Sequence, residues 1–305
     1  MTGNMVQYAV LPNCTNRCDF CLLADKRTLP TEEILKRIDG IEENLDYVDW
    51  KHTFFKGISL LGGEVYGYKD LRYEERMLQL LKKICDKILK VSPEARYSTV
   101  TNGIYKPDFL FKCIDLIVNE CSISQVDVNF SYDLKYRYHT EEARKLALSN
   151  INAFHKRYNY KVGVQMILTQ YVIDSVFSGA WNIQRFLDEE IPGNQLVFLY
   201  PHPIKSNESM KLPDFFFKRN DLLKFLMYLE KHFPDIHMNT ILSTKHSCVF
   251  KYTGMYDPKK HNSQEPVLAN GKEILQDTCG HSTLYQCYSD SDKCMLCDIK
   301  NLWSI

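Results

Sequence analysis

The sequence predicts an α/β fold, a parallel sheet whose strands alternate with helices, followed by a small cysteine-rich extension. Two observations predict it. Short apolar runs, most of them bordered by Gly, Pro or Asn, alternate with longer amphipathic stretches through six successive strand–helix units. That is the pattern of parallel strands joined by right-handed crossovers. Near Lys245 the periodicity gives way to polar segments punctuated by Gly and Pro, which carry five cysteines. The expected division is therefore 1–244 and 245–305. Six units fall short of a closed (β/α)8 barrel.

Each element has its own warrant. Val6 to Leu11 is a short apolar run and reads as the first strand. Thr31 followed by Glu32 and Glu33 reads as a threonine cap with acids in the first turn, opening a helix to about Asn44. Gly57 to Leu61 is the second strand, and Leu71 to Lys90 a helix with Leu78, Leu81, Cys85 and Ile88 on one face. Cys85 reads as core on that stripe. Arg96 to Thr101 is the third strand, closed by Asn102-Gly103, and Pro107 starts a helix bearing Leu110, Ile114 and Ile117. Gln125 to Ser131 alternates Val126, Val128 and Phe130 as a fourth strand. The helix after it has Ala143, Ala147, Ile151 and Phe154 on one stripe, with Glu141 and Lys145 spaced to pair. Val162 to Leu168 and Val197 to Tyr200 are strands five and six, separated by a helix around 175–190. A last helix carries Leu222, Leu226, Leu229 and Phe233.

Composition narrows the class. With 305 residues, 45% hydrophobic and 12% aromatic, the chain can bury one large core with a modest appendage. Lys plus Arg and Asp plus Glu are both 38, so the formal charge of zero gives no support for a polyanion-binding surface. No apolar run is long enough to span a membrane, and the first residues lack a basic-then-apolar secretory pattern. Eleven cysteines, seven of them in two clusters, suit metal binding in a reducing compartment better than a disulfide scaffold. A cytoplasmic protein is expected.

The first cluster follows the first strand: Cys14, Cys18 and Cys21 within eight residues. A loop can turn three such thiolates toward one soft-metal centre. A structural zinc site or an ordinary iron–sulfur cluster takes four protein ligands, and a fourth is missing locally. Either a distant residue completes the set, or one metal position stays open for a ligand that is not protein. Buried structural thiols and a disulfide are the plainer alternatives.

The spacing Cys14-x3-Cys18-x2-Cys21, with Phe20 before the third cysteine, resembles the signature of the radical S-adenosylmethionine (SAM) superfamily. The resemblance implies a curved, partial (β/α)6 TIM-like barrel. It also implies a 4Fe–4S cluster on the three cysteines, with SAM chelating the remaining iron. Gly62-Gly63-Glu64, at the end of the second strand, resembles the family's GGE motif, which meets the SAM amino group. On its own it would read as a tight turn. Further SAM contacts implied at strand ends are Asn102, Ser131, Asp133, Gln165 and Tyr200. Val164 to Tyr171 departs from the family's usual fifth-strand pattern, which leaves Gln165 resting on its polar character alone. Asn102 could equally be an Asn-Gly turn, and Tyr200 a strand terminator. Tyr132, Tyr136 and Tyr138, interspersed with Lys135 and Arg137, read either as a basic–aromatic surface for stacking a base or as a solvated loop.

The second cluster, Cys279, Cys287, Cys294 and Cys297 with Cys248 upstream, can form a centre with four thiolates. Its position resembles the SPASM or twitch extension of radical SAM enzymes. One auxiliary 4Fe–4S cluster is expected, with zinc as the alternative. Cys113 and Cys121 read as structural, and His281 as a surface residue.

The activity implied is reductive cleavage of SAM to a 5′-deoxyadenosyl radical for hydrogen abstraction, modifying a peptide or protein. A nucleoside or other small molecule is the alternative substrate, and a non-catalytic iron–sulfur or zinc module the alternative class. A flavodoxin or ferredoxin would supply the electron. Membrane and nucleic-acid partners are not expected. No substrate acid, base or radical donor can be named from the sequence.

Overall fold

The computed structural model describes residues 4–11, 14, 16, 18–21, 29–46, 55–199, 212, 214, 215, 217 and 219–238. Tyr200, the cysteines from Cys248 onward, His281 and the division at residue 245 lie outside the described residues.

Strands β1 (Asn4–Leu11), β2 (Phe55–Gly62), β3 (Arg96–Thr101), β4 (Val126–Tyr132), β5 (Gly163–Ile167), β6 (Gln195–Leu199) and β7 (His237–Met238) form one sheet. Every neighbouring pair is parallel and the order is strictly sequential. With right-handed crossovers, an order that never reverses puts all the connecting helices on one face and leaves the other bare of helices among the described residues. That is the plan of an open (β/α) barrel rather than a doubly wound sheet. No closing pair between β1 and β7 occurs among the described residues. A seventh, two-residue strand was not expected from the sequence, being too short to show a period.

The helices are α1 (Thr31–Asn44), α2 (Leu71–Leu89), α3 (Asp108–Asp115), α4 (Glu141–Tyr158), α5 (Gln170–Phe177), α6 (Ile183–Arg185) and α7 (Arg219–His232). Alternation within strands separates the two faces. In β4, Val126, Val128, Phe130 and Tyr132 are buried while Asp127, Asn129 and Ser131 are not. The buried set belongs to the same apolar core as Ile34 of α1, Leu80 and Ile84 of α2 and Ile151 of α4. Each large apolar side chain fully buried there contributes roughly 1.5–3 kcal/mol.

The opposite face is polar. Val100, Asn129, Gly163 and Gln195 stand in one register row, and Ser131, Gln165 and Val197 in the next. Gly163 has a steric reason: a Cβ there would collide with the Asn129 side chain lying across it, which Asp127 Oδ1 also holds by accepting from Asn129 Nδ2 at 3.1 Å.

Three local expectations are corrected. Thr31 does not cap α1. Pro30 holds that position, and the Thr31 hydroxyl donates instead to Asp70 Oδ2 (2.9 Å), beside the Tyr68 hydroxyl. Asp70 is the true side-chain cap, at the start of α2. The helix expected over 175–190 is broken: α5 ends before Gly179 in a left-handed conformation (φ 76°), and α6 runs into a π-helical turn, Phe186–Glu190. Glu141 pairs with Arg144 (2.6 Å) rather than Lys145, though Lys145 still helps hold its carboxyl below the ordinary range. Among the described residues no helix is long and apolar enough to cross a membrane.

Candidate functional site

A parallel sheet brings the C-terminal end of every strand to one edge. The segments after β1, β2, β3 and β4 therefore meet there, carrying Cys14-Cys18-Cys21, Glu64, Asn102 and Asp133.

Glu64 is 3% exposed, and its carboxylate is the hub. Oε1 accepts from Tyr66 N–H (3.1 Å), Oε2 from Asn102 N–H (2.7 Å), and the Thr101 hydroxyl lies 2.9 and 3.0 Å from the two oxygens. Thr101 in turn accepts from the Gly103 N–H at 3.2 Å and is 2.5 Å from the Tyr105 hydroxyl. A carboxylate offers about four acceptor sites. Three donors occupy it, which leaves room for one more. Burial pushes the Glu64 carboxyl up to about 7, and those same donors together with Arg137 hold it from rising further.

Asn102 joins the two motifs. Its N–H is on Glu64, and its Nδ2 donates to Cys14 Sγ at 3.6 Å. Its Oδ1 accepts from Ile104 N–H (2.8 Å), and Gly103 takes the positive φ (68°) that turns the chain away. Asn102 is a turn residue, as the Asn-Gly alternative expected, and its side chain also reaches Cys14. Behind the turn, Asn150 of α4 donates through Nδ2 to the carbonyls of Gly103 (2.7 Å) and Tyr105 (2.6 Å). Asn150→Ala is expected to leave both carbonyls unmet, costing roughly 1–3 kcal/mol for each. A lower urea midpoint with unchanged slope would show it.

The cysteine loop is held by other segments. Asn16 Nδ2 donates to Cys18 Sγ (3.2 Å) and to the Arg137 carbonyl (2.9 Å), while the Asp19 N–H donates to the Tyr136 carbonyl (3.1 Å). Cys18, Phe20, Tyr136 and Phe215 form a small apolar cluster, in which Phe20 and Phe215 stack at 5.6 Å. Burial pushes the Cys14 thiol up to about 11, offset in part by the Asn16 N–H and reinforced by the charges of Glu64, Cys18 and Cys21. Cys18 is raised as well, chiefly by burial, with Arg137 opposing. Unliganded, these thiols keep their protons, and a bound cationic centre would displace them.

Among the described residues no three His, Cys, Asp or Glu side chains converge closely enough to share a single metal ion. A 4Fe–4S cluster puts each cysteine on its own iron, and the chemistry of three thiols with amide donors at two of the sulfurs fits it. The three thiols are near enough to feel one another's charge, and two amide N–H groups point at their sulfurs.

No family model matches the sequence, and no curated protein does. Solved structures do. SuiB of Streptococcus suis bound to S-adenosylmethionine is similar with a TM-score of 0.52 at 12% identity, covering 78% of this chain and 50% of SuiB. The chain shares its fold with SuiB. SuiB bound to its precursor peptide SuiA gives 0.50 at 12% identity, over 76% of this chain and 46% of SuiB. The chain thus spans about half the length of SuiB.

On that shared fold the remaining sequence-predicted residues divide. Gly62 ends β2 and Gly63 leads into Glu64. Ser131 and Gln165 are register partners on the bare face of the sheet, both half-buried. Asp133 is 1% exposed and spends its carboxylate on its own loop, accepting the Lys135 N–H at 2.8 Å and that of Tyr136, so it is a turn-former. Neither a base-stacking surface nor a solvated loop describes Tyr132, Tyr136 and Tyr138. Tyr132 and Tyr136 are buried, and Tyr138 donates to the Ser131 carbonyl at 3.1 Å. Sequence reasoning missed Asn150 and Phe215, whose partners lie far off in the chain, and Asn16, which joins nearby Cys18 to the distant Arg137 carbonyl.

Proposed function

We propose that the protein is a radical SAM enzyme, and the observation that carries this is Asn102, bonded at once to Glu64 and to Cys14. The cysteine triad and the Gly-Gly-Glu motif are over forty residues apart in sequence, and Asn102 ties them into one site. Cys14, Cys18 and Cys21 would hold a 4Fe–4S cluster, and its open iron would take SAM. When bound, that pair supplies one-electron cleavage of SAM to methionine and a hydrogen-abstracting 5′-deoxyadenosyl radical. Glu64 would accept an N–H of the SAM amino group at its remaining acceptor site, with Thr101, Asn102 and Tyr66 fixing the carboxylate. Ser131 and Gln165 would line the ribose side, and the half-buried bare face would receive the substrate.

SuiB's binding of a precursor peptide supports a peptide or protein substrate for this chain too. Asn129 and Gln195, the two polar side chains of a row that also holds Val100 and Gly163, suit peptide amides, which need both donors and acceptors. The tail cysteines Cys279, Cys287, Cys294 and Cys297 would hold an auxiliary 4Fe–4S cluster, and a small reducing protein such as a flavodoxin or ferredoxin would deliver electrons.

Anaerobic reconstitution with iron and sulfide, followed by dithionite and SAM, is expected to release 5′-deoxyadenosine. A protein that loads iron yet never cleaves SAM would sink the reading. The Glu64 carboxyl, raised to about 7 by burial, gives a pH signature. Its ionised form accepts the amino N–H, and chelation also releases the ammonium proton of free SAM, so SAM affinity should climb with pH. The Glu64 share of that gain approaches roughly tenfold per pH unit below about 7 and vanishes above it. Calorimetric titration from pH 5.5 to 8.5 reads it, and Glu64→Gln should make the profile shallower by that share.

A further inference from the structure

A site that collects three thiols and two buried carboxylates needs a cation, and Arg137 is where the loop after β4 supplies one. Its guanidinium carbon lies 5.1 Å from the centroid of the Phe20 ring, the residue just before Cys21. Its carbonyl accepts from the same Asn16 amide that donates to Cys18 Sγ. Its neighbour Tyr136 takes the Asp19 N–H. Two backbone–loop bonds and a ring thus hold the guanidinium beside the cysteine loop. The nearby cation Lys135 is spent elsewhere, over the rings of Tyr171 (4.5 Å) and Tyr136 (5.1 Å), with Asp214 at 3.7 Å.

Two further facts mark Arg137 out. Its Nε is buried with no hydrogen-bond partner among the described residues, a state a folded protein avoids unless something else is to use the donor. Its charge is felt by Glu64, Asp133 and Cys18, and it in turn feels that of Cys14.

We propose that Arg137 is a positioning residue that raises the reduction potential of the iron–sulfur group held by Cys14, Cys18 and Cys21, by fixing a positive charge and an unspent N–H donor beside the cysteine loop. This rests on the cluster reading above. Reduction takes one electron from the external donor and no proton, so the reduced group carries one more negative charge. A fixed cation in a poorly solvated site favours that form. Arginine suits the role better than lysine because it is always charged, weakly hydrated and able to stack on a ring.

The test is an EPR-monitored redox titration of the anaerobically reconstituted protein, with iron content matched between samples. Arg137→Gln is expected to lower the reduction equilibrium constant at least tenfold, a midpoint about 59 mV more negative for one electron. Arg137→Lys should fall between Gln and the wild type. A wild-type midpoint in fully loaded Arg137→Gln overturns the proposal, including the case where SAM affinity drops instead and Arg137 serves the ligand. Should the Gln variant fail to load iron, Arg137→Lys decides: a more negative midpoint supports the role and an unchanged one overturns it. Wild-type protein that shows no cluster signal at all removes the cluster reading itself, which is a distinct outcome.

Discussion

Cys18→Ala is expected to abolish 5′-deoxyadenosine formation and to remove most of the iron bound at the N-terminal site. Cys18 is the middle thiol of the loop and 4% exposed, and it packs with Phe20, Tyr136 and Phe215. Its loss leaves two thiolates where a SAM-binding cluster needs three. The substitution is mild for the fold, because Asn16 keeps the Arg137 carbonyl as a partner once the sulfur is gone. Cys85 is the control: it too is buried, on α2, and burial holds its thiol far above the ordinary range. Cys85→Ala should cost packing stability and leave iron and SAM cleavage intact. The triple Ala variant of Cys14, Cys18 and Cys21 extends the test to the tail. About four irons per chain should remain if Cys279, Cys287, Cys294 and Cys297 hold a 4Fe–4S cluster. Equal activity in Cys18→Ala and the wild type would dismiss the cysteine triad as the reactive centre.

What the sequence disclosed follows from the range of the forces involved. The period of two is local, so β3 was legible as Arg96–Thr101, the span it occupies. The α2 stripe was legible for the same reason: Leu81, Cys85 and Ile88 are all buried. Thr31 misled because a hydroxyl followed by acids looks like a cap, whereas its partner Asp70 lies 39 residues away. The site divides in the same way. Cysteine spacing is local and visible, and so is a carboxylate after two glycines. That Asn102 links them needs the parallel pairing of β2 with β3, which places Glu64 and Asn102 on one edge. Arg137 does not stand out in the sequence, because charge patterning cannot tell a solvated arginine from one stacked on Phe20, 117 residues earlier.

Glu64→Ala is expected to be the most damaging single change outside the cysteines, in stability as well as ligand binding. The carboxylate is the shared acceptor for Thr101, the Asn102 N–H and the Tyr66 N–H, and Thr101, Asn102 and Tyr66 are each under 5% exposed. With no water to replace it, each unmet donor costs roughly 1–3 kcal/mol, against about 5–15 kcal/mol for the stability of a typical domain. Releasing Asn102 also frees its contact with Cys14, so cluster loading should fall even where the protein stays folded. Glu64→Gln separates the two effects. It keeps one oxygen for one of the two backbone donors, turns an NH2 group toward the other, and carries no charge to hold the SAM amino group. The Gln variant should therefore fold, load iron and bind SAM at least tenfold more weakly, while the Ala variant unfolds at clearly lower urea than either. Full SAM affinity in Glu64→Gln would place the SAM amino group elsewhere and leave Glu64 with only a structural part.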